Sequence, residues 1–203
     1  NMPIKKSYYR AIMLPWIIWI LGTSFFFAEY FVRVSPSVMT HALTQTFHVN
    51  ALALGGISAL FYYAYVGMQI PVGILVDRFS AYRLIIMAMI LTVLGAVLFA
   101  KAQNLTMLFG SRFLMGFGGA FAFVTTLRLT ANWFHPKYFA LLAGLTQAMG
   151  MLGATVGDAP MSMMFHAFGW RDTMMGIALV FLLLALFASI LIEDYPLAAG
   201  ATS

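Results

Sequence analysis

Apolar residues run along this chain in six long stretches, at about 11–39, 51–76, 82–102, 104–134, 138–167 and 173–192. Polar and charged positions collect in the short gaps between them. The stretches show helical periodicity rather than strict alternation, so they read as helices. Each reaches or exceeds the roughly 20 residues that carry a helix across a bilayer. The gap at 40–50 is polar and has no Lys or Arg. His135-Pro136-Lys137 breaks the fourth stretch, because proline cannot continue the hydrogen-bond ladder. Phe168-Gly169-Trp170-Arg171-Asp172 forms the next turn, and Glu193-Asp194-Tyr195-Pro196 ends the last stretch. The most charged gap, 73–83, holds Asp77, Arg78 and Arg83, too short for a domain and too charged for a membrane core. It reads as a tight hairpin. The pattern predicts an all-α membrane protein with six transmembrane helices in one domain, 1–196. The small-residue tail 197–203 reads as disordered or vector-derived, and Asn1 before Met2 as a tag remnant.

Composition supports this. The chain is 63% hydrophobic and 8% charged, with a mean hydropathy of +0.92, against about 25% charged for a soluble domain. No soluble core could hide that much apolar surface, and in lipid the backbone must satisfy itself by forming helices. The net charge of +5 lies scattered between apolar runs and forms no basic stripe, so it points to topology rather than nucleic acid. With the N-terminus inside, Lys5, Lys6, Arg10, Arg78, Arg83 and Lys137 are cytoplasmic, and only Lys101 and Arg171 lie outside. Both termini are then cytoplasmic. No small-residue cleavage site follows the first run, which reads as a retained helix. The chain has no cysteine, which excludes thiol catalysis and Cys-based metal sites.

Ionisable groups inside a span are expensive and face a cavity or a partner. Four qualify: Glu29 and Arg33 in the first span, Arg112 in the fourth and Asp158 in the fifth. At about 1.5 Å of rise per residue, Glu29 lies roughly 13–15 Å below the outer end, Arg112 and Asp158 about 12 Å, and Arg33 about 8–9 Å. Glu29 and Arg33 are one turn apart and share a face. Similar depth allows two acids and two bases to neutralise one another. The cluster fits three roles: proton coupling through Glu29 or Asp158, capture of a substrate carboxylate by Arg112 or Arg33, or a static network that fixes packing. Tyr62, Tyr63, Tyr65 and Gln69 in the second span, with Thr146 and Gln147 in the fifth, are candidates to line a polar cavity; packing or interfacial anchoring is the competing reading. His41 and His48 lack a third ligand at metal spacing.

The form Gly73-x-Leu75-x-Asp77-Arg78-x-x-x-x-Arg83 resembles the cytoplasmic loop between helices 2 and 3 of the major facilitator superfamily of secondary transporters. The family usually has Gly where this chain has Ser80. Arg112-x-x-x-Gly116-x-Gly118 resembles the family's helix 4 motif, and Trp133-Phe134-x-Pro136 and Gly169-Trp170-Arg171 recur near the corresponding helix ends. Tyr30-x-x-Arg33-x-x-x-Ser37-Val38 is similar to helix 1 of the anion:cation symporter branch; that branch has Asp where this chain has Val32, and often Glu where it has Gly119. The resemblance implies one six-helix bundle made of two three-helix inverted repeats, half of a complete transporter. It implies a cytoplasmic latch at Gly73, Asp77, Arg78 and Arg83, which Arg128 could join. It also implies that the fifth span, with Gly153-x-x-x-Gly157 and Pro160 beside Asp158, packs against a second half.

The function expected is therefore a secondary transporter of a small organic anion or amino acid, working by alternating access, with protons as a candidate coupling ion. Its partners would be the solute, the lipid bilayer and a second six-helix half, in the same polypeptide or as a homodimer. Its place would be the cell membrane, and a bacterial inner membrane in particular. A half-length protein that is the structural or regulatory partner of another membrane protein is the alternative. There is no nucleophile beside a base, no phosphate-binding glycine loop and no metal-ligand set, so the sequence names no catalytic, cofactor-binding or metal-binding residue.

Overall fold

The computed structural model describes residues 3–194, with side chains from Ile12 onward. The side chains of Lys5, Lys6 and Arg10, and the tail 197–203, lie outside the described residues. Six helices follow one another: α1 (Pro3–Val38), α2 (Thr40–Phe47), α3 (Ala51–Arg78), α4 (Ala81–Ala100), α5 (Leu105–Trp133) and α6 (Pro136–Leu191). Five of them, all but α2, are long and apolar enough to cross a membrane.

Their ends are set by local chemistry. Asn50 and Asn104 cap α3 and α5, accepting from the N–H groups of Ala53 at 3.0 Å and Met107 at 2.9 Å. Ser80 caps α4 by accepting from the Arg83 N–H at 3.3 Å. The gap at 40–50, expected as an open connection, instead contains α2. This helix buries Leu43 while Thr40, His41, Gln45 and Thr46 stay exposed, and His48 ends it in the left-handed conformation (φ 51°). One apolar residue per turn was too faint a pattern to register beside the long runs.

The turn expected at 168–172 is narrower than the sequence suggested. α6 is two helices that meet at Gly169, where φ is 83° and ψ 165°, a conformation open to glycine. The backbone stays helical through Pro160, so the break lies at the glycine and not at the proline. Trp170, next to the break, is buried between Phe47 and Phe99, with ring centroids 6.0 and 5.9 Å away. Arg171 donates to the carbonyls of Ala100 at 2.7 Å and Ala102 at 2.8 Å, satisfying orphan groups at the end of α4.

α5 is the most enclosed helix, packed against α3 and α4 and touching α1; α1 lies along α6. Close approach depends on glycine. A Cβ at Gly116 would collide with the carbonyl of Phe61 on α3. At Gly153 a Cβ would come 2.8 Å from the Phe27 carbonyl on α1. The glycine face of 150–157, expected to await a second half, is thus used within this chain to seat α6 on α1.

Candidate functional site

The best-formed polar constellation lies between α1, α3 and α5. Glu29 and Arg33 are one turn apart on α1, and the spacing that put them on one face makes them a pair. Arg33 Nε donates to Glu29 Oε1 at 3.2 Å, and Nη2 donates to Oε1 at 2.9 Å and Oε2 at 3.0 Å. The Glu29 side chain is fully buried; that of Arg33 keeps 14% of its exposure. Arg33 is also ringed by aromatics. Its guanidinium carbon lies 4.4 Å from the ring centroid of Tyr30 and 4.5 Å from that of Tyr65, with Phe61 and Tyr62 at 5.7 and 5.8 Å. Such rings attract a cation through their quadrupoles and fix its plane.

Arg112 reaches the same cluster from α5 but pairs with backbone. It donates to the carbonyls of Ile57 at 3.3 Å, Val32 at 2.7 Å and Arg33 at 3.3 Å, and its guanidinium carbon lies 4.6 Å from the Phe61 ring centroid. One side chain therefore ties α5 to both α1 and α3, and it holds the main chain of Arg33 itself. A guanidinium can do this because its planar fork offers five donors.

The four-group cluster expected from depth does not assemble. Asp158 is exposed on α6 and takes part in no ion pair among the described residues. The remaining three groups are two arginines and one carboxylate, a buried surplus of one positive charge. Of the cavity candidates, Tyr62 stands half open at the edge of the ring of aromatics, Gln69 donates to the Tyr65 carbonyl at 3.3 Å, and Gln147 is half-buried on α6. Thr146 lies apart from them, accepting from Trp19 Nε1 at 3.0 Å.

At the opposite end of α5, the charged hairpin joins α3 to α4. Asp77 and Arg128 approach to 3.7 Å, a loose surface pair with side chains 75% and 40% exposed. Gly73 has open space beside it, and Arg78 and Arg83 are exposed. The hairpin is anchored by a residue the sequence did not single out. Asp194, beyond α6, accepts from Ser80 Oγ and from the Tyr82 N–H at 2.8 Å, so its carboxylate caps the start of α4. Its own carbonyl accepts from Asn132 at 3.1 Å, and the Glu193 carbonyl accepts from Trp133 Nε1 at 2.7 Å. The available signal was Ser80, a capping residue standing where the resembled loop usually has glycine.

Long apolar helices, a buried charge cluster among three of them and a capped hairpin at the other end define a multi-pass membrane protein. The comparisons give the family. The profile of the Major Facilitator Superfamily matches residues 18–202. The chain is 30% identical to an uncharacterized transporter, YybO, of Bacillus subtilis (strain 168), over 85% of this chain and 40% of that protein. It is 26% identical to the probable galactarate/D-glucarate transporter GarP of Escherichia coli (strain K12), over 95% and 44%, and 26% identical to the probable sulfoacetate transporter SauU of Cupriavidus necator, over 84% and 40%. A bacterial homologue of the human lysosomal transporter Spinster, solved inward-facing and unoccupied, matches the fold with a TM-score of 0.76 at 17% identity, over 90% of this chain and 44% of that one. The chain belongs to the Major Facilitator Superfamily of transporters. It spans about two fifths of the length of the curated relatives it matches.

Proposed function

We propose that this chain is the N-terminal six-helix bundle, two three-helix repeats, of a proton-coupled secondary transporter for a small organic anion. Counting the two arms of α6 separately gives the six spans. The bundle rocks against a second six-helix half, from the same polypeptide or a second copy, around a solute site near the midplane. The hairpin at 73–83 and both termini lie on the cytoplasmic side of a bacterial inner membrane.

One observation carries this reading: Arg33, partly open and held among aromatic rings, belongs to a buried group of two arginines and one carboxylate. A carboxylate or sulfonate would neutralise that surplus and could take a two-point bond from the guanidinium. Two relatives are named as probable transporters of anions of this kind, sulfoacetate for one and galactarate or D-glucarate for the other. Arg112 is the positioning residue, and Glu29 is the acid placed to exchange a proton.

The test is uptake of radiolabelled sulfoacetate and D-glucarate into proteoliposomes holding this bundle together with its second six-helix half, driven by an inward proton gradient. The reading expects gradient-dependent uptake of an anion that is lost in Arg33→Gln. Uptake that survives Arg33→Gln would contradict it.

A further inference from the structure

Where α1 passes the turn between α5 and α6, the helices part. Pro15 and Trp16 of α1 stand across a cleft of about 410 Å³ from Trp133, His135 and Tyr138. Trp16 is 49% exposed and Tyr138 47%, so the cleft opens to the exterior of the bundle. The elements around it fix its depth. Trp133 is bound to the Glu193 carbonyl, and Asp194 to Ser80 and Tyr82, so the cleft lies at the hairpin end. Trp and Tyr are the residue types that settle at the boundary between lipid headgroups and acyl chains.

The charge at this cleft is of one sign. His135 Nδ1 accepts from the Lys137 N–H at 3.3 Å, so a neutral ring carries its proton on Nε2 and donates from there. Lys137 Nζ lies 4.7 Å from the centroid of the Tyr138 ring, at the mouth. Lys137 is exposed and joins no ion pair among the described residues. No Asp or Glu among the described residues lines the cleft. Further along α1 comes a second cavity of about 190 Å³, almost wholly apolar, between Ile20 and Phe27 of α1 and Met149 of α6. The step from Trp16 to Phe27 is about 16 Å along the helix. That is close to the roughly 15 Å of hydrocarbon in one leaflet.

We propose that this seam binds one anionic phospholipid of the leaflet on the hairpin side. Lys137 Nζ and His135 Nε2 hold its phosphate, and one acyl chain lies along α1 past Ile20 to Phe27. The shape of the site is that of such a lipid: cations at one end, an apolar run of one leaflet's depth, and an opening to the exterior. Basic pockets between membrane helices on the cytoplasmic side take anionic headgroups. A zwitterionic lipid fits the apolar run equally well but answers the rim charge less well, so the rim selects the anion. The bound lipid fills the space where α1 and α6 part and fastens the hairpin end of a seam that Gly150 and Gly153 close deeper in. This site is separate from the solute site and stands if the anion-carrier reading fails.

The experiment reconstitutes this bundle together with its second six-helix half into phosphatidylcholine vesicles. They contain a rising fraction of phosphatidylglycerol with brominated acyl chains, which quench nearby tryptophan. The Trp16 signal is the difference between the protein and its Trp16→Phe variant. The proposal expects brominated phosphatidylglycerol to quench Trp16 at a lower mole fraction than brominated phosphatidylcholine does. Lys137→Gln raises the fraction needed about fivefold, the worth of one cation at an anionic surface. Arg83→Gln, which removes an exposed cation elsewhere at the same end, leaves the midpoint unchanged. Equal quenching by the two brominated lipids overturns the proposal by showing an unselective groove. An equal shift in Arg83→Gln and Lys137→Gln overturns it by showing a diffuse attraction to the basic end. A Trp16 that neither lipid quenches shows that the second half covers the cleft, and overturns it too.

Discussion

Arg112 Nη1 donates to the carbonyl of Val32 at 2.7 Å, so a cation buried in α5 is bound to the backbone of α1 one residue from Arg33. Its Nη2 reaches the Arg33 carbonyl itself, and its Nε reaches Ile57 on α3. Three helices meet through one guanidinium. Arg112→Lys keeps the charge but loses the fork, so two of three bonds go. The expected loss is about 3–6 kcal/mol of stability, because each hydrogen bond to a charged group contributes about 1.5–3 kcal/mol and the stranded carbonyls stay buried. Thermal unfolding in detergent measures it. An unchanged midpoint would show that the carbonyls find other partners.

The hairpin separates two acids that look alike in sequence. Asp194 caps α4 and faces Ser80 and the Tyr82 N–H, whereas Asp77 makes a solvent-exposed pair at 3.7 Å. Asp194→Ala should cost about 1 kcal/mol, as loss of an N-cap does, and raise hydrogen exchange at 81–84. Asp77→Asn should change stability by less than about 1 kcal/mol and slow conformational cycling while leaving solute binding intact. Equal protection in the two variants would remove the distinction.

Glycines differ in the same testable way. Gly116→Ala drives a methyl group into the Phe61 carbonyl and must separate α3 from α5, at a cost of about 1–3 kcal/mol. Gly144 on α6 has nothing within 4 Å, so Gly144→Ala in this chain should be neutral or gain up to about 1 kcal/mol from helix propensity. Melting temperatures of the two variants would show the order.

The long helices were legible because lipid imposes a run of apolar residues on each of them, and Asn50, Asn104 and Pro136 mark their starts plainly. Glu29–Arg33 was legible too, since both residues lie on one helix and a four-residue step fixes their relation. Depth along a helix, however, says nothing about rotation around it. Asp158 has the depth of the cluster and yet faces outward on α6, while the glycines beside it face α1. Arg112 was expected to meet a carboxylate and meets carbonyls, because backbone acceptors carry no sequence signature. Asp194 lies more than a hundred residues from the helix it caps, and no local pattern joins it to Tyr82.

The central claim is that Arg33 receives the solute anion, and the direct test is a crystal structure with sulfoacetate bound, located by the anomalous signal of its sulfur. The account predicts a sulfur peak beside the Arg33 guanidinium, between the rings of Tyr30 and Tyr65, with the Glu29 carboxylate withdrawn from the fork. A peak elsewhere, with Glu29 still bonded to Arg33, would contradict it.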